Sequence, residues 1–196
     1  ITSVADPTAA QDGATKAYVD SQISGAGNLA LTGGTMTGNI LVSGTVNFGA
    51  STSRISTVFA TTFNGTSTAA QYADVAENFL SDIMYEPGTV VALGGPEEIT
   101  RVNDELSSEV FGVISTQPAY LMNAGLTDGA AVAVTGRVPV KVTGKVNKGD
   151  RLVSAGNGLA RAAQEGEVTS FNVIGRSIEN KKTESEGTVE AFVTIN

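Results

Sequence analysis

The sequence predicts an all-β protein, an elongated shaft with one short helix followed by a small barrel or sandwich, on three observations. The chain of 196 residues leans on Ala, Val, Thr and Ser and contains 23 Gly but no Trp, Cys or His. Branching at Cβ suits Val and Thr to a pleated surface, and glycine at this frequency supplies turns between short strands. Apolar runs of roughly four to eight residues recur between Gly, Asn and Asp punctuation. The character then changes near residue 71. Residues 1–71 hold three acids and two bases, whereas residues 72–196 hold 17 acids and 10 bases, so the net charge of −8 lies almost wholly in the second part. The first part has few large apolar side chains and cannot bury much surface alone. The division expected is a shaft over 1–71 and a terminal β domain over 72–196.

In the shaft, residues 12–23 read as a short helix. Asp12 is the candidate N-cap, Ala14, Ala17, Tyr18 and Ser21 share a face, and Gly25 ends it. A helix this short needs a partner for its apolar side, and further copies of the same chain are the simplest supply. Strand-like segments follow at 35–42, 44–48 and 56–63, each bounded by Gly, Asn or Ser. From Tyr72 onward strand candidates fall at 89–93, 98–102, 110–114, 131–134, 137–142, 151–153, 159–161, 172–178 and 189–195. Turn signals stand at Pro87-Gly88, Gly94-Gly95, Asn157-Gly158 and Glu186-Gly187. Val134-Thr-Gly-Arg-Val138 and Val142-Thr-Gly-Lys-Val146 nearly repeat, which suggests one bent strand or hairpin with bends at Gly136 and Gly144. Pro139 should sit at an edge or bulge, where no ladder bond is lost.

Composition removes much chemistry. Without His there is no imidazole base, Ser-His-Asp triad or ordinary zinc site, and without Cys no thiolate or disulfide. No catalytic, cofactor-binding or metal-binding constellation stands out, and no cofactor is expected. Twelve scattered Lys and Arg on a chain of pI near 4.5 do not make a phosphate-binding surface, so no nucleic-acid partner is expected. No apolar run reaches membrane-spanning length, which argues against membrane insertion. Asn147-Lys-Gly-Asp150 reads as a plain turn, since a phosphate loop would need a following helix. Lys181-Lys182 reads as a solvated loop tip. Tyr85, Tyr120 and Phe171 stand outside the obvious strand cores and read as packing residues. The chain starts at Ile1 without a methionine and reads as a fragment.

Three phrases in the shaft carry a resemblance. Asp6-Pro-Thr-Ala-Ala-Gln-Asp-Gly-Ala-Thr-Lys-Ala-Tyr-Val-Asp20, Leu31-Thr-Gly-Gly-Thr-Met-Thr-Gly-Asn-Ile40 and the stretch from Gly49 to Gly65 stand in the order found in phage tail fibres, which residues 5–65 resemble. The resemblance implies an intertwined homotrimer located in the virion, as a tail or neck appendage. In that assembly burial should be greatest for Tyr18, Ile40, Val46, Phe59 and Phe63. A chain with too little core per copy gains one by sharing it.

A second resemblance begins at Gln71-Tyr-Ala-Asp-Val-Ala-Glu-Asn-Phe79 and continues through Pro87-Gly-Thr-Val-Val-Ala-Leu93 and Val110-Phe-Gly-Val-Ile-Ser-Thr-Gln-Pro118. These residues are similar to the self-cleaving intramolecular-chaperone domain of some phage tailspikes and neck appendages. The resemblance implies a domain that helps three chains assemble and then cuts itself off before a Tyr-Ala-acid motif, here Tyr72-Ala73-Asp74. Ser-Asp is expected at the cut, and this chain has Ala70-Gln71 instead. A backbone cut needs a nucleophile against the scissile carbonyl and a group to manage its proton. Ala70 cannot supply the first, Ser67 and Thr68 are offset along the chain, and Asp74 could supply only the second. Asp74 and Glu77 also have a plain reading as solvated acids on a short turn of helix.

The resulting expectation is a structural virion protein, not an enzyme: the C-terminal part of a homotrimeric tail fibre or appendage. Its partners would be its own copies and other tail or neck proteins, with host attachment through a cell-surface glycan or protein as a further role of the terminal domain. The alternative is an autoproteolytic chaperone domain that cleaves near residue 71.

Overall fold

In the computed structural model, residues 5, 7–8, 13–25, 35, 37–45, 47–65, 69–70 and 72–194 are described. The chain divides into two units, Ile1–Phe63 and Asn64–Asn196.

The first unit contains helix α1 (Lys16–Gly25). Its start is set by Thr15, whose hydroxyl accepts a hydrogen bond from the Tyr18 N–H at 3.0 Å, the geometry of an N-cap serving the third helical residue. The cap is therefore three residues later than expected, and Ala14 lies ahead of the helix. Asp12 lies outside the described residues. Among the described residues, the expected strands at 35–42, 44–48 and 56–63 form no ladder, and the one pairing of this region is an isolated Ala50–Ser53 bridge in the stretch between the last two of them; Met36 and Val46 lie outside the described residues. A strand exists through its partners, and one copy of this segment supplies none.

The second unit is β throughout: β1 (Asp74–Leu80), β2 (Val90–Leu93), β3 (Ile99–Arg101), β4 (Val110–Ile114), β5 (Tyr120–Met122), β6 (Gly129–Val142), β7 (Arg151–Gly156), β8 (Leu159–Ala162), β9 (Val173–Ser177) and β10 (Gly187–Thr194). The all-β expectation is met, and the terminal fold resolves to a barrel. The C-terminal half of β6 pairs with β10, β10 with β9, β9 with β7, β7 with β8, and β8 returns to β6 at Val142–Ala160, closing five strands. Closure removes the open edges that would otherwise invite pairing with other chains. The N-terminal half of β6 leaves the barrel and holds β1 on one side and β4 on the other, extending the sheet to β5 and to β2 and β3.

The alternation in β10 explains the barrel interior. Val189, Ala191 and Val193 are buried while Thr188, Phe192 and Thr194 face outward. They meet Val138, Val140 and Val142 of β6, Leu152 of β7, Ala160 of β8 and Ile174 of β9. Burying each Val, Leu or Ile side chain among them contributes about 1.5–3 kcal/mol before entropy is counted. A smaller cluster joins Val91, Ile99, Ile114 and Val132, with Phe79 and Phe111 packed edge to face, ring centroids 5.2 Å apart. β2 serves both clusters, Val90 facing the first and Val91 the second, which is why it reads as an unbroken apolar run.

The long strand β6 holds the first near-repeat segment, 134–138, and bends at Gly136, where φ is +111°. It ends at Val142, so the second segment, 142–146, is not part of the same strand: Gly144 lies beyond its end with φ +72°, and Val146 forms only an isolated bridge to Lys181. Pro139 lies inside this strand. The N–H groups of Arg137 and Lys141 donate to Ala73 O and Gly88 O on one side, so the missing N–H of Pro139 faces the gap between those acceptors. No ladder bond is lost, although the strand is interior. At the β7–β8 hairpin Asn157 and Gly158 both take left-handed φ values, +53° and +74°, as a two-residue type I′ turn requires. Asn147-Lys-Gly-Asp150 is the expected turn: the Asp150 N–H donates to Asn147 O at 3.0 Å and its carboxylate accepts from the Asn147 N–H at 2.7 Å. A strand follows it.

Candidate functional site at the start of the terminal domain

The Tyr72-Ala73-Asp74 motif leads into β1. Ala70, Tyr72 and Ala73 are exposed, and Asp74 is 4% exposed. Gln71, Ser67 and Thr68 lie outside the described residues. The solvated helical turn expected at Asp74 and Glu77 is replaced by a strand. Asp74, Ala76 and Asn78 form its buried face, and Glu77 is half-buried. Period-2 geometry places Asp74 inside, where its carboxyl oxygen accepts a hydrogen bond from the Ser115 hydroxyl at 2.6 Å. Ser115 itself is 7% exposed and stands just past the end of β4, 41 positions along the chain.

The backbone around the pair is equally fixed. The Ala119 N–H donates to Asp74 O at 2.8 Å and the Arg137 N–H to Ala73 O at 3.0 Å. Asp74 lies in register with Gly136, where a Cβ would come within 2.3 Å of Ala73 O. Only glycine allows this approach and this φ together. Farther along β1, Asn78 and Asn123 exchange amide-to-carbonyl bonds at 3.3 and 3.0 Å, so the second buried polar group of this face is also paired. The arrangement anchors the first strand and presents Tyr72 at the surface. The Ser115 hydroxyl is the one that the structure brings to Asp74. It lies within the phrase 110–118, yet no spacing in the sequence links it to Asp74.

Three other side-chain groups organise the surface. The loop after β1 is braced by Asp82, which accepts from the Tyr85 hydroxyl at 2.6 Å and from the Thr100 hydroxyl at 2.8 Å. Burial opposes ionisation of Asp82, but these bonds and the Ile83 N–H hold its carboxyl below the usual range. Tyr85 thus packs against the smaller cluster, as a packing residue should, while Tyr120 and Phe171 are 64% and 68% exposed. This loop borders a groove of about 590 Å³ lined by Met84, Tyr85, Arg101, Lys141, Asn157 and Glu186, in which Lys141 pairs with Glu86.

Arg161 forms a second group, bidentate to Glu167 at 2.7 and 3.0 Å and bonded through Nε to Glu105 at 2.7 Å. The Arg161 hydrogen bonds are the main reason that the Glu167 carboxyl is held below its ordinary range, with the Gln164 N–H adding to them. The third group corrects the solvated-tip reading of Lys181. Its ammonium donates to Gly144 O at 2.9 Å, to Thr183 O at 2.8 Å and to Ser185 O, so it fastens the loop 181–185 to the end of β6, while Lys182 is exposed. Among the described residues no three of His, Cys, Asp and Glu gather as a metal-ligand group.

No family model and no curated protein matches the chain. Solved structures do resemble it. The C-terminal fragment of bacteriophage phi29 gene product 12 is similar at 15% identity and a TM-score of 0.47, over 62% of this chain and all of that one. Pre-mature bacteriophage phi29 gene product 12 is similar at 16% identity and a TM-score of 0.49, over 66% of this chain and 23% of that longer one. Both are forms of one bacteriophage protein.

Proposed function

We propose that this chain is the C-terminal part of a homotrimeric phage tail fibre or appendage, a structural virion protein whose terminal barrel promotes assembly of the shaft. The observation that carries the reading is the apolar surface of the first unit. Leu41, Phe48, Val58, Phe59 and Phe63 are 91%, 65%, 70%, 95% and 77% exposed in the single chain, and Ile40 and Ile55 are more than half exposed. Scattered exposed apolar residues are ordinary, but among the described residues this run within 40–63 packs into no buried core. Each phenylalanine moved from water into a shared core contributes about 1.5–3 kcal/mol per chain. Identical copies supply that core, and the fibre phrase from Gly49 to Gly65 overlaps the same segment.

The terminal unit contributes by folding first. Its barrel core is complete within one chain, so it holds a shape on which three copies can register before the shaft does. Ala70 supplies no hydroxyl at the expected cut, so the chain keeps its terminal domain. The groove beside Met84 is the surface offered for a host glycan or protein. The test is the mass of the particle in solution beside the mass of the denatured chain. Three chains per particle, each intact, supports the reading; a monodisperse monomer overturns it, and a specific nick between Ala70 and Gln71 revives the autoproteolytic alternative.

A further inference from the structure

The sequence contains two Asn-Gly pairs, Asn64-Gly65 and Asn157-Gly158. We infer that Asn64-Gly65 is a spontaneous succinimide-forming site on the native protein, one that introduces a carboxylate and a backbone isomer at the boundary between the two units. The chemistry requires only water. The Gly65 backbone nitrogen attacks Asn64 Cγ, forming the new N–Cγ bond, while the Cγ–Nδ2 bond breaks and ammonia leaves with the displaced proton. Water then opens the ring. Breaking the new N–Cγ bond gives aspartate, and breaking the original peptide C–N bond gives isoaspartate, with one extra methylene in the main chain. Glycine at the second position favours the step because no side chain hinders the attacking nitrogen or restricts the φ and ψ that bring it to Cγ.

The two sites differ in whether that nitrogen can move. Asn64 and Gly65 are both exposed and lie in no helix or strand, next to the end of the first unit at Phe63. Asn157 is exposed too, so exposure of the asparagine does not separate them. Gly158 is buried, its N–H donates to Val102 O at 2.7 Å, and both residues are fixed in left-handed conformations by the β7–β8 hairpin. Attack at Asn157 therefore needs local opening of the barrel, whereas attack at Asn64 needs only motion of an exposed segment. The consequence at Asn64 is one more negative charge on a chain already at −8 and, in the isoaspartyl form, a lengthened main chain at the boundary.

Hydroxylamine at alkaline pH opens succinimides and severs Asn-Gly bonds, so it reads both sites in one chain. On the folded full-length protein, with circular dichroism confirming that the fold persists in the reagent, cleavage is expected after Asn64 and at least about tenfold more slowly after Asn157. In denaturant both cuts should appear at similar rates. The variant Asn64→Gln should lose the native cut and keep the spectrum. Ageing the native protein in heavy-oxygen water should place label at residue 64, read by peptide mass. A native protein that resists the reagent at Asn64, or that is cut at both sites alike, overturns the inference.

Discussion

At the residue scale, Gly136 and the Asp74–Ser115 pair set how the terminal domain begins. Gly136 combines φ of +111° with a main-chain approach that leaves no room for a Cβ. Gly136→Ala should cost about 1–3 kcal/mol for the backbone conformation alone, and more for the displaced Ala73 carbonyl. Denaturant unfolding checks this, and an unchanged midpoint would mean that β1 is not held against β6 as described. Ser115→Ala removes the donor to a buried carboxylate and should cost about 1–3 kcal/mol, with the loss recovered in large part by Ser115→Thr if the hydroxyl keeps its position. Equal losses for both variants would show that packing, and not the hydrogen bond, sets the cost. These residues also mark where sequence reading fails. Asp74, Ala76 and Asn78 occupy the buried face of β1, an inverted pattern that looks solvated until Ser115 and Asn123, 41 and 45 positions away, supply the hydrogen bonds. Lys181 misleads for the same reason, since its acceptors are main-chain oxygens that no side-chain pattern reveals.

At the scale of elements, legibility follows how local the determinants are. β10 and the Asn157-Gly158 hairpin were readable because alternation and turn chemistry lie within a few residues. The three-residue edge strand β5 was not, having an exposed Tyr120 and pairing only with β1. The shaft segments show their apolar residues in sequence, but among the described residues no strand pairs them. One element carries a pH dependence. Arg161 grips Glu167, whose Oε2 also accepts the Gln164 N–H at 2.7 Å, holding the loop after β8. Because the folded Glu167 carboxyl lies below its unfolded range, its contribution is fully present above about pH 4.3 and is lost as pH falls through the lower folded value. The protection factor of the Gln164 amide, its exchange rate relative to the intrinsic rate at each pH, should therefore fall on acidification, and Glu167→Gln should show the lower protection already at neutral pH. Identical protection in the variant and the parent at neutral pH would contradict this role. The barrel core gives a contrasting, pH-independent expectation: Leu152→Ala or Ile174→Ala should cost about 2–5 kcal/mol, because both side chains are fully buried.

For the whole molecule, the terminal part should fold independently and the shaft should depend on other copies. Residues 72–196, produced alone, should be folded and unfold cooperatively, since both apolar clusters lie within them. Residues 1–71 alone should not, because association entropy must be met before Phe48, Phe59 and Phe63 gain a common core. Circular dichroism on the two pieces distinguishes these outcomes, and a shaft that melts cooperatively without the barrel would make the barrel an attached head and not an assembly device. The most direct test of the central claim is sedimentation equilibrium of the full chain, set beside the mass of the denatured polypeptide. A homotrimer requires a particle of three intact chains, and a particle with the mass of one chain would contradict it.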